Sequence, residues 1–463
     1  MGSNRLIDTI AAIATPPGKG GVGIIRISGP LAPTILKKIF HSSRPRSHFS
    51  SHKLYYGSVI ASSGDILDEA LAVHMHAPHT YTREDVVELQ CHGSYAGLQN
   101  ILQAVLQLGA RPADPGEFTK RAFLAGRIDL TQAEAVLDLL EAQTAKGAQL
   151  AAHQLQGELR FLLEGIRQEL IAILAQLEVA IDFPDDEVEI IDKAAMLHQL
   201  DRTVLTPLSQ LLRMAEQGKI FREGIKVVLA GLPNVGKSSL LNALLQEERA
   251  LVTPIPGTTR DTIEETITLR GIPIHLVDTA GIRPHLDPVE AMGIDRARQK
   301  FSQADVVFFL VDTVSGFRNE DRDLYDTIKD RKHLIILNKC DIADQDRQLE
   351  LSRSFGSQPV VMISAKDRSG LEQLQDTLYH LVVGDGQDLC ERMACVPNLR
   401  HHAVLIKVLA TLQRFQGALA AGAAIDLLAV ELQSALDDLG EISGLTTTED
   451  VLDAVFSKFC IGK

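Results

Sequence analysis

No uninterrupted apolar stretch in this 463-residue chain approaches the roughly eighteen residues of a membrane span. The opening Met1-Gly-Ser-Asn-Arg-Leu6 lacks the apolar core of a secretory signal. Cysteine is scarce: Cys91, Cys340, Cys390, Cys395 and Cys460 are odd in number and form no C-x-x-C pair. That excludes a disulfide framework and a thiolate zinc site, and it fits a reduced, cytoplasmic thiol set. Cys460 stands where a prenylation box would, yet Ile-Gly-Lys is a poor tail for one. A general basic field is missing as well, since the net charge is −14. Residues 1–118 are close to neutral, with ten Lys/Arg against nine Asp/Glu, and hold seven of the fifteen histidines. Any RNA contact must therefore use local basic patches.

What the chain does have is a core-forming 45% of hydrophobic residues and length for two or three domains. Gly231-Leu-Pro-Asn-Val-Gly236-Lys237-Ser238 follows the apolar run 226–230 and fits G-x-x-x-x-G-K-[ST]. Such a strand–loop–helix turns backbone N–H groups toward a β-phosphate, with the lysine on the β/γ oxygens and the serine hydroxyl at a magnesium position. The pattern alone arises by chance in roughly one chain in fifty of this length, so the segments that accompany it matter. Asn338-Lys339-Cys340-Asp341 follows the strand-like run 334–337. Asp341 is placed to accept from guanine N1–H and its exocyclic amine, a pairing that rejects adenine by roughly 10⁴. Asp278-Thr-Ala-Gly281 ends another strand and supplies a carboxylate for the magnesium shell. Ser364-Ala365-Lys366 ends a fourth, at 359–363, and suits the guanine oxygen. The ligand is GTP or GDP.

Residues 1–118 read as mixed α/β, with strands at 22–27, 54–60 and 86–90 and a helix over 97–108. Gly20-Gly-Val-Gly23 is no dinucleotide fingerprint, because it precedes a strand and its sixth position is Arg26. From about 120 the texture becomes helical. Leu155, Leu159, Leu163, Ile166, Leu170, Ile173 and Leu177 recur at alternating four and three, one seam along one helix. Pro184 ends it. The same texture returns past 398, with Leu405, Val408, Leu412, Phe415 and Leu419 on one face. The expected architecture is an N-terminal α/β domain (1–119), a discontinuous helical domain (120–220 and 381–463) and an inserted doubly wound P-loop domain (221–380).

The catalytic machinery is less plain. Thr259, in the loop 253–261, is read as the second magnesium ligand. Many relatives of this fold orient the attacking water with a glutamine after Asp-x-x-Gly; here Ile282 holds that place. Glu290 is either the replacement or a solvated helix-terminus glutamate, and Arg260 or Arg283 is either an arginine finger or a surface residue. A monovalent cation on neutral oxygens is a third device, for which Asn234 offers one ligand.

Asn234 in its loop, Gly257-Thr-Thr-Arg-Asp261, Asp278-Thr-Ala-Gly-Ile-Arg283 with Val289-Glu290, Ala14-Thr-Pro-Pro-Gly-Lys-Gly-Gly-Val-Gly23, Pro115-Gly-Glu-Phe118 and Phe459-Cys-Ile-Gly-Lys463 together resemble the MnmE (TrmE) family of tRNA modification GTPases. The resemblance runs from end to end. It implies a cytoplasmic homodimer working with a flavin-dependent MnmG-family partner, as a heterotetramer, to place an aminomethyl or carboxymethylaminomethyl group on carbon 5 of the wobble uridine of certain tRNAs. By position it implies potassium on Asn234, Thr253, Ile255 and Thr258, magnesium on Ser238 and Thr259, and water positioned by Glu290, with Lys237 and Thr259 beside it in catalysis. Nucleotide contacts would come from Asn234, Val235, Gly236, Lys237, Ser238, Ser239, Thr253, Thr258, Thr259, Asp278, Thr279, Ala280, Gly281, Asn338, Lys339, Asp341, Ser364, Ala365 and Lys366. A 5-formyl-tetrahydrofolate would sit on Arg26, Glu88, Arg127 and the terminal Lys463. Taken without the family, Glu88 and Arg127 read as surface charges. Cys460 is either a thiol for uracil carbon-6 addition or a packed tail thiol. Two other readings share parts of this pattern. A ribosome-assembly or regulatory switch GTPase would lack the folate-like head, and a lone one-carbon transferase would have no use for Glu290 or Asn234.

Overall fold

Contacts between residues divide the chain into two units, one comprising residues 1–137, 154–205 and 404–463, the other residues 138–153 and 206–403. The computed structural model describes residues 8–44, 48–182, 192–247, 264–277, 301, 303–384 and 396–463. Thr253, Ile255, Thr258, Thr259, Asp278, Thr279, Ala280, Gly281 and Glu290, together with Arg260, Ile282, Arg283, Cys390 and Cys395, lie outside the described residues.

The first unit opens on a seven-stranded sheet of order β3-β4-β5-β6-β2-β1-β7. Its strands are β1 (Ile10–Ile13), β2 (Gly20–Ser28), β3 (Phe40–Ser42), β4 (Lys53–Ile60), β5 (Ile66–Met75), β6 (Val86–Gly93) and β7 (Arg111–Pro112). All neighbours are antiparallel except β1 and β7. Alternate residues such as Ile25, Ile27, Val87 and Leu89 point into a core closed by helices Ala32–Ile39 and Tyr95–Gln107. That period-two burial is what a sheet with one covered face requires.

The helical seam is present but begins later than its spacing suggests. Leu159, Leu163, Ile166, Leu170, Ile173 and Leu177 are all buried along helix Glu158–Asp182. Leu155 instead closes the preceding helix, Ala145–Leu155, because the chain breaks at Gly157 with φ +93°. Helix Glu158–Asp182 packs on Ile425–Ser443, so segments far apart in sequence share one core. Helix Leu399–Ala420 is long and apolar enough to cross a membrane by length and composition. Its Leu405, Val408, Leu412, Phe415 and Leu419 are instead buried in the protein, while Lys407 and Arg414 pair with Asp438 and Glu431. Farther on, Val455 and Phe456 at the end of helix Glu449–Phe456, with Phe459 just beyond it, pack in one cluster with Leu130 and Ala133.

In the second unit six strands run in the order β13-β12-β11-β8-β10-β9. They are β8 (Ile225–Ala230), β9 (Glu264–Leu269), β10 (Ile272–Val277), β11 (Val306–Asp312), β12 (His333–Asn338) and β13 (Val360–Met362). Every pairing is parallel except the edge strand β9. Val227, Leu229, Phe308, Leu310, Leu334 and Ile336 fill one core, and Val228, Ala230, Val307, Phe309, Ile335 and Leu337 fill the other. Both faces are covered, so the central strands read as unbroken apolar runs. This is the doubly wound P-loop architecture. A π-helical turn, Asp201–Leu205, precedes helix Thr206–Glu223. Pro207 has no N–H to give the carbonyl four residues back, and the widened turn absorbs the loss.

Candidate functional site

At the carboxyl end of β8 the chain turns through Gly231–Gly236 into helix Lys237–Glu247. Lys237 Nζ donates to the carbonyls of Gly231 and Leu232, both at 2.8 Å, so the ammonium is held across the mouth of its own loop. A phosphate arriving there meets a cation already in place, facing the N–H groups of a helix N-terminus. Asn234, Ser238 and Ser239 are exposed around the loop while Val235 is buried and anchors it. Asn234 has φ +66°, a left-handed conformation costly for most side chains but tolerated by asparagine.

Asn338 holds the site together. It ends β12, is 3% exposed, and uses both ends of its amide. Nδ2 donates to the Val235 carbonyl at 2.8 Å, and Oδ1 accepts from the Ala365 N–H at 3.0 Å. Three separate loops, read from the sequence as separate nucleotide contacts, are thus tied by one side chain. The close approach explains Gly236: at φ +102°, a Cβ there would stand 2.1 Å from Asn338 Nδ2. Lys339, also at positive φ, donates to Asp312 Oδ2 at 2.8 Å. Burial raises the Asp312 carboxyl, but hydrogen bonds from Lys339 and the Val314 N–H outweigh it and hold the group below its ordinary value. Asp312 was not among the expected site residues, although a charged residue ending the apolar run Val306–Val311 was the available signal. Asp341 and Lys366 are exposed beside these loops, Ser364 is fully buried, and the Cys340 thiol donates to the Leu337 carbonyl. Among the described residues no group of His, Cys, Asp or Glu is arranged to hold a metal.

The first unit gathers a second set of residues. Arg26 Nε, on β2, donates to Glu88 Oε1 on β6 at 2.8 Å, the two being register partners. Arg26 Nη1 donates to the Gly462 carbonyl at 3.2 Å, and the Phe118 N–H donates to the Lys463 carbonyl at 3.2 Å. The chain end therefore returns to the first domain within a single chain. The tail comes so close that a Cβ on Gly462, at φ +97°, would lie 2.5 Å from the Ile13 carbonyl. Arg127 is separate from that trio. It lies 4.8 Å over the Tyr81 ring and donates to the Tyr81 carbonyl. Arg26 in turn lies 5.7 Å from the Phe118 ring, and Phe118 and Tyr81 belong to one small cluster with Ile10, Ala12 and Ala113. Tyr81 was not singled out from the sequence, and Phe118 appeared there only within the Pro115-Gly-Glu-Phe118 motif, without a role of its own. Beneath them Arg121, 3% exposed, bonds Asp8, Glu84 and Glu117, and Arg111 shares Asp8 and Glu117. Burial pushes the Asp8 and Glu117 carboxyls up, but the two guanidiniums bring both below their ordinary values. Cys460 is exposed, and its carbonyl accepts from the Gly116 N–H.

Residues 9–127 match the family model described as the GTP-binding protein TrmE N-terminus, and residues 130–460 match that of the MnmE helical domain. A tRNA modification GTPase MnmE from Desulfotalea psychrophila is 48% identical over 460 residues, covering 98% of each chain. Its counterpart from Chloroflexus aurantiacus is 47% identical over 456 residues, covering 98% of this chain and all of the relative. Among solved structures, Era from Aquifex aeolicus bound to GDP and AlF4− is 30% identical over 34% of this chain and 56% of that one, at a TM-score of 0.29. The G domain of the Thermotoga maritima FeoB iron transporter is 29% identical over 34% of this chain and 98% of that one, at 0.26.

Proposed function

The chain belongs to the MnmE family of tRNA modification GTPases, and from that premise we propose that it is a potassium-activated GTP hydrolase driving carbon-5 modification of the wobble uridine. Hydrolysis of GTP to GDP and phosphate and a tRNA substrate come with the family. The observation that supports this reading of the site is the Asn338 bridge, which ties the phosphate loop to the Ser364–Lys366 loop.

The residues present fit the cations. Ser238 offers a hydroxyl at the start of its helix, suited to magnesium that takes its other ligands from phosphate and water. Asn234 offers a neutral amide oxygen on an exposed, left-handed turn, as a weakly hydrated alkali cation prefers. Thr253, Ile255 and Thr258 complete that set and Thr259 the magnesium set in this proposal. Bound potassium supplies fixed positive charge against the charge that develops on the phosphoryl oxygens. Lys237 holds the β/γ oxygens, and Glu290 orients water in place of the isoleucine-filled position at Ile282. Asp278 to Gly281 contact magnesium and the γ-phosphate, while Asp341, Lys366 and Ala365 read guanine.

A tetrahydrofolate fits the first unit by its chemistry. Glu88 spends one oxygen on Arg26 and keeps the other, with no partner among the described residues, for the donor edge of an amino-pyrimidinone. Arg127 and Lys463 suit carboxylates. We assign these roles to a cytoplasmic homodimer that works with an MnmG-type flavoprotein, and we retain 1–119, 120–220, 221–380 and 381–463 as its functional segments. Steady-state hydrolysis tests the core of the proposal. Turnover should be roughly tenfold or more faster in potassium than in sodium, and Asn234→Ala should abolish the difference. Equal rates in the two salts for the wild type would overturn it, and wobble-nucleoside analysis of tRNA from cells lacking the protein tests the coupling.

A further inference from the structure

Arg127 also helps line a cavity of about 430 Å³ in the first unit, with His52, Met75, His79, Tyr81 and Arg83. Among the described residues no carboxylate lines this cavity. The two acids next to Arg83 in sequence are engaged elsewhere, Glu84 with Arg121 and Ser28 and Asp85 with His74. The cationic groups are held in place by a pair of crossed contacts. Arg83, in a left-handed conformation at φ +60°, donates from Nη1 to the Ala125 carbonyl at 2.9 Å. Arg127 donates in the opposite sense, to the Tyr81 carbonyl at 3.1 Å, and Thr80 closes the turn by donating to the Glu84 carbonyl. The remaining N–H groups of both guanidiniums have no partner among the described residues. Backbone strain kept at an exposed arginine is a cost that a ligand contact can justify.

A pterin would not suit this space, since it needs an accepting carboxylate and the Tyr81 face already carries Arg127. A flexible chain of carboxylates would. We propose that the cavity receives the γ-linked glutamates of a folate tail, so that the protein selects polyglutamylated over monoglutamyl tetrahydrofolate. The assignment rests on the folate reading above and extends it from the Glu88 end of the ligand to its opposite end. Each added γ-glutamate brings one carboxylate, which a planar guanidinium takes through two parallel N–H···O bonds. The volume suits roughly two or three such units beyond Arg127. Rim-exposed pairs of this kind are individually modest, so a triglutamate should bind about five- to tenfold more tightly than the monoglutamate.

Calorimetric titration of the full-length protein with mono- and triglutamyl 5-formyl-tetrahydrofolate is the test. The expected result is the five- to tenfold preference, lost in Arg83→Gln and reduced in His79→Gln, while both variants keep wild-type affinity for the monoglutamate. Equal affinity of the wild type for the two ligands would overturn the tail site and leave the folate reading standing. Failure to bind either form would overturn both. If Arg83→Gln left the preference intact but weakened tRNA binding and flattened its salt dependence, the rim would be a phosphate contact and the proposal would again fall.

Discussion

Replacing Asn338 with aspartate asks how much of nucleotide binding depends on a side chain that bonds protein at both ends. The substitution keeps size and shape, so no cavity opens, and the carboxylate still accepts from the Ala365 N–H. What disappears is the donor to the Val235 carbonyl, a 2.8 Å bond in a position 3% exposed. An unmatched buried carbonyl costs about 1–3 kcal/mol. A carboxylate oxygen facing that carbonyl must also take a proton or push the loop away, for a total of about 2–4 kcal/mol. Expressed at the loop that cradles phosphate, that is a roughly 30- to 1,000-fold loss of GDP affinity. Titration with a fluorescent GDP analogue measures it, with far-UV circular dichroism as the check on folding. Gly236→Ala attacks the same bridge from the other side, since its Cβ would stand 2.1 Å from Asn338 Nδ2. The double variant should lose little more than the worse single one, because a bridge already broken is not broken again. GDP affinity within about threefold of wild type in Asn338→Asp, or losses that simply add, would refute the reasoning.

Asp341→Asn should exchange guanine for xanthine. An amide offers a donor where guanine also donates but matches the extra carbonyl of xanthine, so competition with XTP should swing by roughly a hundredfold or more. Gly462→Ala should unseat the tail from Arg26 and Phe118 and lower tetrahydrofolate affinity by about tenfold, while GDP binding is unchanged; intact folate affinity would show the tail to be a bystander. Acid should weaken the first unit. Asp8 and Glu117 are depressed below 3.8 and 4.5, so their stabilising contribution is present above those values and fades as pH falls through the lower folded ones. His74 is kept neutral by burial and by His76, so protonation below about 6.5 acts in the same direction. The chain has no tryptophan, so circular dichroism rather than indole fluorescence should follow melting from pH 7 to 3. Arg121→Met should cut stability at pH 7 by about 3 kcal/mol and flatten the acid limb; a limb as steep as wild type would remove the network from the explanation.

The second unit was legible because its chemistry and its pattern coincide. An apolar run followed by a glycine-rich loop can be little else when both faces of the strand are covered, and the runs at 226–230 and 334–337 fall within β8 and β12. Strands β2, β4 and β6 and helix Tyr95–Gln107 were also readable, from alternation and period. Short β1, β3 and β7 were not, since two to four residues carry no period. β5 was missed because its interior residues Asp68 and Glu69 interrupt the apolar pattern. Gly157 ended a helix inside an unbroken heptad register, which spacing alone does not reveal. The nucleotide-site motifs were visible in the sequence, whereas Arg83 and Tyr81 meet residues 125 and 127 through contacts between segments remote in sequence. Asn338 lay between these cases: its position was visible but its role as a tie was not.

The nested order of the chain has a consequence for how it is made. Residues 138–153 and 206–403 form a unit of their own, and all of it is translated before residues 404–463 of the other unit. The other unit must wait, because Arg26 and Gly462 meet across 436 residues and Lys120 meets Asp453 across 333. Such distant closures are slow and leave apolar surface uncovered meanwhile. A ribosome stalled far enough past residue 403 for that residue to clear the exit tunnel, but short of Asp453, should therefore display a nucleotide-competent unit beside an unfinished partner vulnerable to proteases.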